Sequence, residues 1–237
     1  MKRIADHVYG ILTKASYVNF YLIANDDNLT VIDVALSAAD VDKLAAGLKT
    51  RGWTLDNVQR ILITHAHMDH VGGLAELQKR CPDAQTYAHQ RAAPVLRGEE
   101  QIEFADPATL RGFSRLIRRF LKGIKEPYRV EKELQDGDTL DEVLPGLQVV
   151  HLPGHSYGHT GFWWPGKHVL IGGDVMMHYP WGLRMPLRAP SPDWQEAKRS
   201  IHKVAEMGVD VLCLGHGKPI LSGADAKIKK LSARIKR

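Results

Sequence analysis

The most constraining feature of this chain is a run of four potential metal ligands directly after an apolar segment. Residues 61–63 are Ile-Leu-Ile, and His65, His67, Asp69 and His70 follow closely. On an extended chain, positions two apart point the same way, so His65 and His67 can bind one ion together. Asp69 shares that parity, whereas His70 turns the other way as the chain bends toward a helix. The segment therefore predicts a buried strand that ends at a site for two metal ions.

Three more potential ligands stand at the ends of other apolar segments. His155, Asp174 and His216 each come directly after a glycine that closes such a segment. A single histidine after a strand is more often structural than a ligand. The same arrangement repeated along the chain predicts strand ends that present their side chains to one common site.

Apolar periodicity predicts strands followed by helices in each half of the chain. A layered α/β sandwich accounts for this pattern. The predicted strands cover residues 7–12, 17–23, 29–34, 58–63, 147–152, 161–164, 168–171 and 209–214. The predicted helices cover residues 40–48, 71–80, 193–207 and 227–237. A proline-rich loop is predicted over residues 180–194.

An insertion around residues 94–128 interrupts this alternation. Within it, residues 110–125 have an apolar stripe at helical spacing and a polar face that contains basic but no acidic residues. The stripe consists of Leu110, Phe113, Ile117, Phe120 and Ile124. We interpret the segment as an amphipathic helix that covers the fold with a solvated basic face. The alternatives are a membrane-surface helix and a docking face for anionic partners.

Composition limits the class of protein. A chain of 237 residues predicts a single domain over residues 1–237. The 44% hydrophobic and 25% charged residues exclude a disordered chain, and no run of about 18 apolar residues predicts a membrane span. The N-terminus shows no secretory signal and the two cysteines form no disulfide framework, so we expect a cytoplasmic protein. The net charge of +5 could favour anionic substrates or nucleic acid, but so mild and scattered an excess more often reflects solubility alone. We expect a small-molecule substrate and no nucleic-acid partner, and the oligomeric state is open.

The motifs resemble those of the metallo-β-lactamase superfamily, in the same order and over nearly the whole chain. They are His65-x-His67-x-Asp69-His70, Pro153-Gly154-His155, Gly173-Asp174 and Gly215-His216-Gly217. The resemblance implies an αββα sandwich with a dinuclear metal site at the sheet edges. It assigns His65, His67 and His155 to the first ion, Asp69, His70 and His216 to the second, and Asp174 to both.

Further candidate residues lie around the predicted ions, one of them from the resemblance and the others from their positions in the sequence. Asp33 matches an aspartate that orients a metal-bound imidazole, and His159 either does the same or is a structural histidine. His178 and Tyr179, close after Asp174, could reach the substrate carbonyl or leaving group. Trp181 could line a pocket for an apolar substituent, the alternative being ordinary loop packing.

The chemistry expected of such a site is hydrolysis. Two Zn²⁺ ions about 3.5–4 Å apart can share a hydroxide that attacks an acyl carbon, and iron or manganese would also fit the ligands. Asp69 is the candidate catalytic residue, because it could orient the hydroxide or relay a proton to the leaving group. We therefore predict a metal-dependent hydrolase that cleaves an ester-like bond, with lactones or thioesters favoured.

Departures from the family's subgroups leave alternatives open. Asp174 stands where the lactam-cleaving zinc enzymes usually lack an aspartate, so β-lactam hydrolysis is expected only as a promiscuous activity. Met177 stands where the acyl-homoserine lactonases usually have a tyrosine. An iron-dependent persulfide dioxygenase, which keeps a similar histidine cluster around one iron, is the alternative from another reaction class. A tRNA-processing nuclease has only the basic charge in its favour.

Overall fold

A seven-stranded sheet forms the N-terminal half of the protein. The computed structural model describes residues 1–12, 18–26, 28–124 and 126–235. The strands of this sheet lie in chain order: β1 (Lys2–Ala5), β2 (Val8–Leu12), β3 (Asn19–Asn25), β4 (Asn28–Ile32), β5 (Val58–Ile63), β6 (Gln85–His89) and β7 (Lys132–Leu134). Strands β1 to β4 are antiparallel, whereas β4 to β7 are parallel. Parallel neighbours need crossover connections, and α1 (Ala38–Lys49), α2 (Met68–Val71) and α3 (Leu74–Arg80) lie in two of them.

A four-stranded sheet follows in the C-terminal half. Its strands are β8 (Gln148–His151), β9 (Thr160–Trp164), β10 (Val169–Ile171) and β13 (Val211–Cys213), in the order β13-β10-β9-β8. The connection from β10 to β13 contains the hairpin of β11 (Met177–Tyr179) and β12 (Gly182–Arg184), and then α6 (Trp194–Ala205). Helix α7 (Ala224–Ser232) comes after β13.

The two sheets pack face to face with helices on both outer surfaces. Successive side chains of a strand point to opposite faces, so Phe20 and Leu22 of β3 pack toward α1 and α3, while Tyr21 and Ile23 face the other sheet. In the second sheet, Leu170 of β10 packs with the buried residues of α6 and α7, and its neighbours on β10 face the first sheet. The layers are therefore helix, sheet, sheet, helix, as the resemblance implies.

The insertion contains less helix than its pattern predicts. It has α4 (Ala93–Leu96), a 3₁₀ turn (Pro107–Thr109) and α5 (Gly112–Arg118) instead of a helix over 110–125. The N–H groups of Arg119 and Phe120 bond three residues back, which tightens the last turn and ends α5. Phe113 and Phe120 are 75% and 72% exposed. Leu110 and Ile117 of the stripe pack in a small cluster around Ala105, whereas Ile124 packs against the larger core of the first sheet. Lys125 lies outside the described residues.

Other predicted elements also differ in their bounds. The helix predicted over 71–80 is divided at Gly72 and Gly73, where the backbone passes so close to Leu36 and Val34 that a Cβ has no room. The loop predicted over 180–194 contains β12. Strands β1, β6, β7 and β11 were not predicted. Tyr17 of the predicted strand 17–23 and residues 236–237 of the predicted terminal helix lie outside the described residues.

Across the part of the chain that the structure describes, no helix combines the length and the apolar character that crossing a bilayer requires.

Candidate metal centre

The seven potential ligands predicted from the sequence meet at one edge of the sandwich. His65 and His67 follow β5, Asp69 and His70 lie in α2, and the other three follow β8, β10 and β13. Their donor atoms form three overlapping groups, each within 4.8 Å. The groups are His65, His67 and His155; His65, His70 and Asp174; and Asp69, His70 and His216. Such groups of imidazole and carboxylate donors can bind Zn²⁺, Fe²⁺ or Mn²⁺.

Hydrogen bonds on the outer side of the rings direct lone pairs into the site. Thr64 donates its hydroxyl hydrogen to Asp33 at 2.7 Å, so it accepts the Nδ1–H of His65 at 2.9 Å. Ser191 donates to the carbonyl of Leu187 and in the same way accepts the Nδ1–H of His155 at 3.1 Å. A hydrogen on Nδ1 leaves a lone pair on Nε2, and a metal ligand needs that lone pair.

Asp33 orients two of the histidines at once. Its Oδ2 accepts the Nδ1–H of His70 at 2.8 Å and also the hydroxyl of Thr64, which contacts His65. Its Oδ1 accepts the backbone N–H of Thr64 at 2.8 Å. One buried carboxylate thus fixes a histidine of each predicted ion. That Asp33 orients a metal-bound imidazole stays a prediction, and these hydrogen bonds support it.

Several buried donor atoms have no hydrogen-bond partner among the described residues. They are Nε2 of His65, His67 and His70, and Oδ1 of Asp174. The Nδ1 of His67 also lies only 3.0 Å from Nε2 of His155. Buried polar atoms without partners are costly in a folded protein. A cation bound among them would satisfy them, so the donor set fits a resident metal.

Asp174 lies between the two groups of histidines. Its Oδ1 is 3.4 Å from Nε2 of His70, and its Oδ2 is 3.4 Å from Nε2 of His155 and 3.2 Å from Nε2 of His216. Asp69 contacts the same His216 nitrogen at 3.3 Å and is less buried than Asp174. These positions agree with a carboxylate shared between two ions.

The protonation of the site separates neutral imidazoles from charged ones. Burial lowers the pKa of His65 and His155 well below the usual value, and lowers that of His67 to about 4. Burial also opposes protonation of His216, yet the negative charge of Asp174 raises its pKa to about 10. Positive charge is therefore favourable in the group of Asp69, His70 and His216. A divalent ion would supply that charge in place of the proton.

His159 binds the backbone of Asp174 and is not among the grouped ligand atoms. Its Nδ1–H donates to the carbonyl of Leu152 at 3.0 Å, and its Nε2 accepts the backbone N–H of Asp174 at 2.9 Å. Both ring nitrogens are therefore used. Of the two alternatives from the sequence, positioning of a neighbouring ligand fits this geometry.

Glycines before the ligands allow close contact between strand ends. A Cβ on Gly215 would collide with Asp174 and His70, and one on Gly173 would contact His159 and Thr64 at 2.8–2.9 Å. Gly173 also has φ +48°, in the left-handed region that glycine adopts without strain. The glycine-before-ligand pattern therefore has a steric cause.

Some residues of the site carry no signal in the sequence. The ring of Phe104 stacks on His67 with centroids 5.6 Å apart, and Ser191 contacts His155. Tyr21 and Asn19 of β3 donate to the carbonyl of Leu214 at 2.7 and 3.0 Å, which fixes the loop before His216. Of the residues that contact the predicted ligands or the loop before His216, Thr64 is adjacent in sequence to a predicted ligand, His65. The others come from distant segments that no local pattern connects to the site.

The candidate substrate contacts lie on the β11–β12 hairpin. The backbone N–H of His178 donates to the carbonyl of His216 at 3.2 Å, and its ring donates to the carbonyl of Lys218. Tyr179 stacks on Trp181 with centroids 5.3 Å apart, and Trp181 is 67% exposed. Burial and the negative charge of Asp174 raise the pKa of Tyr179. The hairpin thus places a stacked aromatic pair, a partly buried tyrosine and an exposed tryptophan, next to the strand end that carries His216.

Comparison with known proteins identifies the family. The family model described as the metallo-beta-lactamase superfamily matches residues 13–216. A probable metallo-hydrolase of Bacillus subtilis, YybB, is 25% identical over 93% of this chain and 92% of its own. The hydroxyacylglutathione hydrolase of Aeromonas salmonicida is 27% identical over 71% of this chain, which spans about half (51%) of that longer protein. This chain belongs to the metallo-β-lactamase superfamily.

A solved structure extends the comparison to a metal-bound protein. TTHA1623, crystallised in a di-iron-bound form, has 27% sequence identity and a TM-score of 0.64, with 90% of this chain and 94% of that chain covered. The resemblance inferred from the motifs and the αββα architecture are both confirmed.

Metal binding is expected to stabilise the fold. An ion present at about a thousand times its Kd adds about 4 kcal/mol to the free energy of unfolding. In a protein of this size, that energy raises the melting temperature by roughly 10 °C. Thermal unfolding of chelator-treated protein, with and without added Zn²⁺, measures the shift. Ca²⁺, which prefers oxygen ligands, serves as the control and should give a much smaller shift. Equal melting temperatures with and without Zn²⁺ would contradict a metal site here.

Proposed function

We propose that this protein is a dinuclear metal-dependent hydrolase that cleaves thioesters or lactones. The observation that carries the proposal is the sharing of donors: His65 and His70 each belong to two of the three ligand groups, and Asp174 contacts histidines of both predicted ions. A site for one ion needs three or four donors. Seven convergent donors therefore favour two ions.

The donor set suits hydrolysis more than binding alone. When bound, two ions supply Lewis acidity toward an acyl oxygen and lower the pKa of water to roughly 7. His65, His67 and His155 would bind the first ion, and Asp69, His70 and His216 the second, with Asp174 contacting both. Asp33 would fix the rings of His70 and, through Thr64, of His65.

Asp69 would act on the substrate side of the site. It is half-buried, whereas His65, His70 and Asp174 are fully enclosed. Burial opposes its ionisation, but the hydrogen bond from His216 and the charge of His70 keep its pKa well below the usual value. Its carboxylate is therefore anionic at neutral pH, and it can accept a hydrogen bond that orients the attacking water toward the acyl carbon.

A thioester is the favoured bond within this proposal. The hydroxyacylglutathione hydrolase similarity supports an acyl thioester as substrate. Zinc is the expected metal, with iron or manganese as alternatives. The similarity to TTHA1623, which was crystallised in a di-iron-bound form, supports iron as the bound metal. A persulfide dioxygenase that uses one iron is the competing function.

A substrate panel tests the proposal. Metal-loaded protein is incubated with acyl thioesters of N-acetylcysteamine and with lactones of matched acyl length. Hydrolysis of at least one class, lost after chelation and restored by Zn²⁺, is the expected result. Oxygen consumption with a glutathione persulfide, without hydrolysis of either class, would replace the proposal by the oxygenase alternative.

Replacing Trp181 by alanine is expected to change substrate preference and to leave metal content unchanged. The side chain is exposed and stacks on Tyr179, and its aromatic contacts among the described residues include no predicted ligand. Removal of an aromatic surface from a pocket weakens the binding of long apolar acyl groups by about 1–3 kcal/mol relative to that of small ones. The ratio of kcat/KM for long and short acyl thioesters measures the change. An unchanged ratio would remove this hairpin from the substrate pocket.

A further inference from the structure

The insertion forms an open cavity lined by arginines. The cavity has a volume of about 340 Å³ and is lined by Pro107, Arg115, Arg118 and Arg119. Within the described residues, Arg118 donates its Nε–H to the carbonyl of Ala105 at 3.1 Å, and none of the three arginines is paired with a carboxylate. Arg115 and Arg119 are exposed. Three guanidinium groups in one concave surface are therefore available to an anion.

The cavity adjoins the candidate metal centre through one aromatic ring. The guanidinium carbon of Arg118 lies 4.8 Å from the centroid of the Phe104 ring. The same Phe104 ring stacks on the ring of His67, with centroids 5.6 Å apart. A molecule that occupies the metal centre and extends past Phe104 would therefore reach the arginines.

The segment around the cavity adds positive charge and has few carboxylates that could pair with the arginines in place of a bound anion. Residues 107–125 contain six basic and no acidic residues. Asp106 and Glu126 flank this segment, and Asp106 accepts the backbone N–H of Ala108 at 2.9 Å. Arg188 approaches from the other side and donates to the hydroxyl of Thr109 at 3.4 Å.

We propose that the substrate has a phosphate group on its leaving thiol or alcohol, and that Arg115, Arg118 and Arg119 bind this phosphate while the acyl bond lies at the metal centre. The proposal rests on the hydrolase function proposed above and names its substrate class. Guanidinium groups present donors in a planar fork that matches phosphate oxygens, and several of them can neutralise a dianion. A single carboxylate would use the donors of fewer arginines.

A membrane surface is the competing occupant. Phe113, Leu116 and Phe120 are exposed beside the arginines, as on helices that lie on anionic lipid. The arginines, however, line a concave cavity that adjoins the metal centre, and α5 has only seven residues. These observations favour a substrate group over a lipid bilayer.

The kinetic test uses thioesters that differ in one group. The protein hydrolyses the same acyl group on pantetheine, on 4′-phosphopantetheine and on glutathione. We expect a kcat/KM preference for the phosphorylated thioester over the pantetheine thioester that falls about tenfold or more in the Arg115→Gln, Arg119→Gln double variant. Arg111→Gln is the matched control, because Arg111 is an exposed basic residue of the same segment outside the cavity lining; it should keep the preference.

A binding measurement separates this proposal from the proposed function. Methyl phosphate is titrated into the metal-loaded protein and followed by amide chemical shifts. Shifts at residues 107–119 that disappear in the double variant and persist in Arg111→Gln support the phosphate site even if neither thioester is hydrolysed. The proposal would be overturned if methyl phosphate caused no shifts in this segment, or if only hydrolysis of the glutathione thioester depended on the two arginines. It would also be overturned if, in a vesicle-binding measurement with the same variants, the arginines were required only for binding to anionic vesicles.

Discussion

Asp69→Asn is expected to abolish most turnover without unfolding the protein. Asparagine keeps the size of the side chain, but its neutral amide cannot provide the anionic oxygen that contacts His216 at 3.3 Å and is partly exposed. Loss of a group that orients the nucleophile or moves a proton lowers kcat by about 10²–10⁴-fold. Thioester or lactone hydrolysis by the metal-loaded variant measures the loss, and circular dichroism verifies the fold.

Asp42→Asn provides the matched control for this variant. Asp42 is an exposed aspartate of α1, outside the metal centre. It pairs with Arg80 of α3 at 2.7 Å. Its replacement should leave kcat within about twofold, since exposed ion pairs contribute at most about 1 kcal/mol. Full activity of Asp69→Asn would reject the role proposed for Asp69.

Asp33→Asn is expected to weaken metal binding by about 10–100-fold, the range found when groups that orient metal ligands are removed. Asp33 accepts from His70 and from Thr64, which in turn accepts from His65. Oδ2 accepts both of these hydrogen bonds, and Oδ1 accepts the backbone N–H of Thr64. An amide has one accepting oxygen, so either the two bonds at Oδ2 are lost or its NH₂ group opposes the N–H of Thr64. Asparagine tolerates the positive φ of 60° at this position, so the backbone should keep its conformation. Competition with a chromogenic chelator measures the affinity.

The control for Asp33 is another buried aspartate. Asp40 accepts the backbone N–H groups of Leu36 and Ser37 at 3.1 Å at the start of α1. Asp40→Asn should lower the free energy of unfolding by about 1–3 kcal/mol and leave metal affinity unchanged. If both variants bound zinc as the wild type does, the orienting role of Asp33 would be wrong.

The ligands could be predicted from the sequence because each one marks the end of a strand. His65 and His67 follow a strand whose bounds, 58–63, the apolar pattern gives correctly. The glycines before Asp174 and His216 mark places where strand ends approach closely, and the glycine before His155 lies against the backbone of α6. The family's residue order then assigns each donor to an ion. Local chemistry and topology point to the same residues.

The supporting residues could not be predicted because their partners are distant in sequence. Ser191 contacts His155 from 36 positions away, and Phe104 reaches His67 from the insertion. The predicted helix 110–125 failed for a related reason. Its amphipathic stripe indicates a helix that covers a core, yet sequence periodicity does not show whether a core exists beneath it. The structure places a small cluster around Ala105 beneath Leu110 and Ile117 and the larger core beneath Ile124. Phe113 and Phe120 remain exposed.

Metal stoichiometry tests the central claim most directly. Protein purified without chelators, and the same protein after saturation with Zn²⁺ and removal of excess ion, is analysed for metal by elemental analysis against protein concentration. Two zinc ions per chain is the result that the shared position of Asp174 and the three ligand groups predict. One iron per chain as purified, with a single equivalent of metal retained after saturation, would contradict a dinuclear hydrolase.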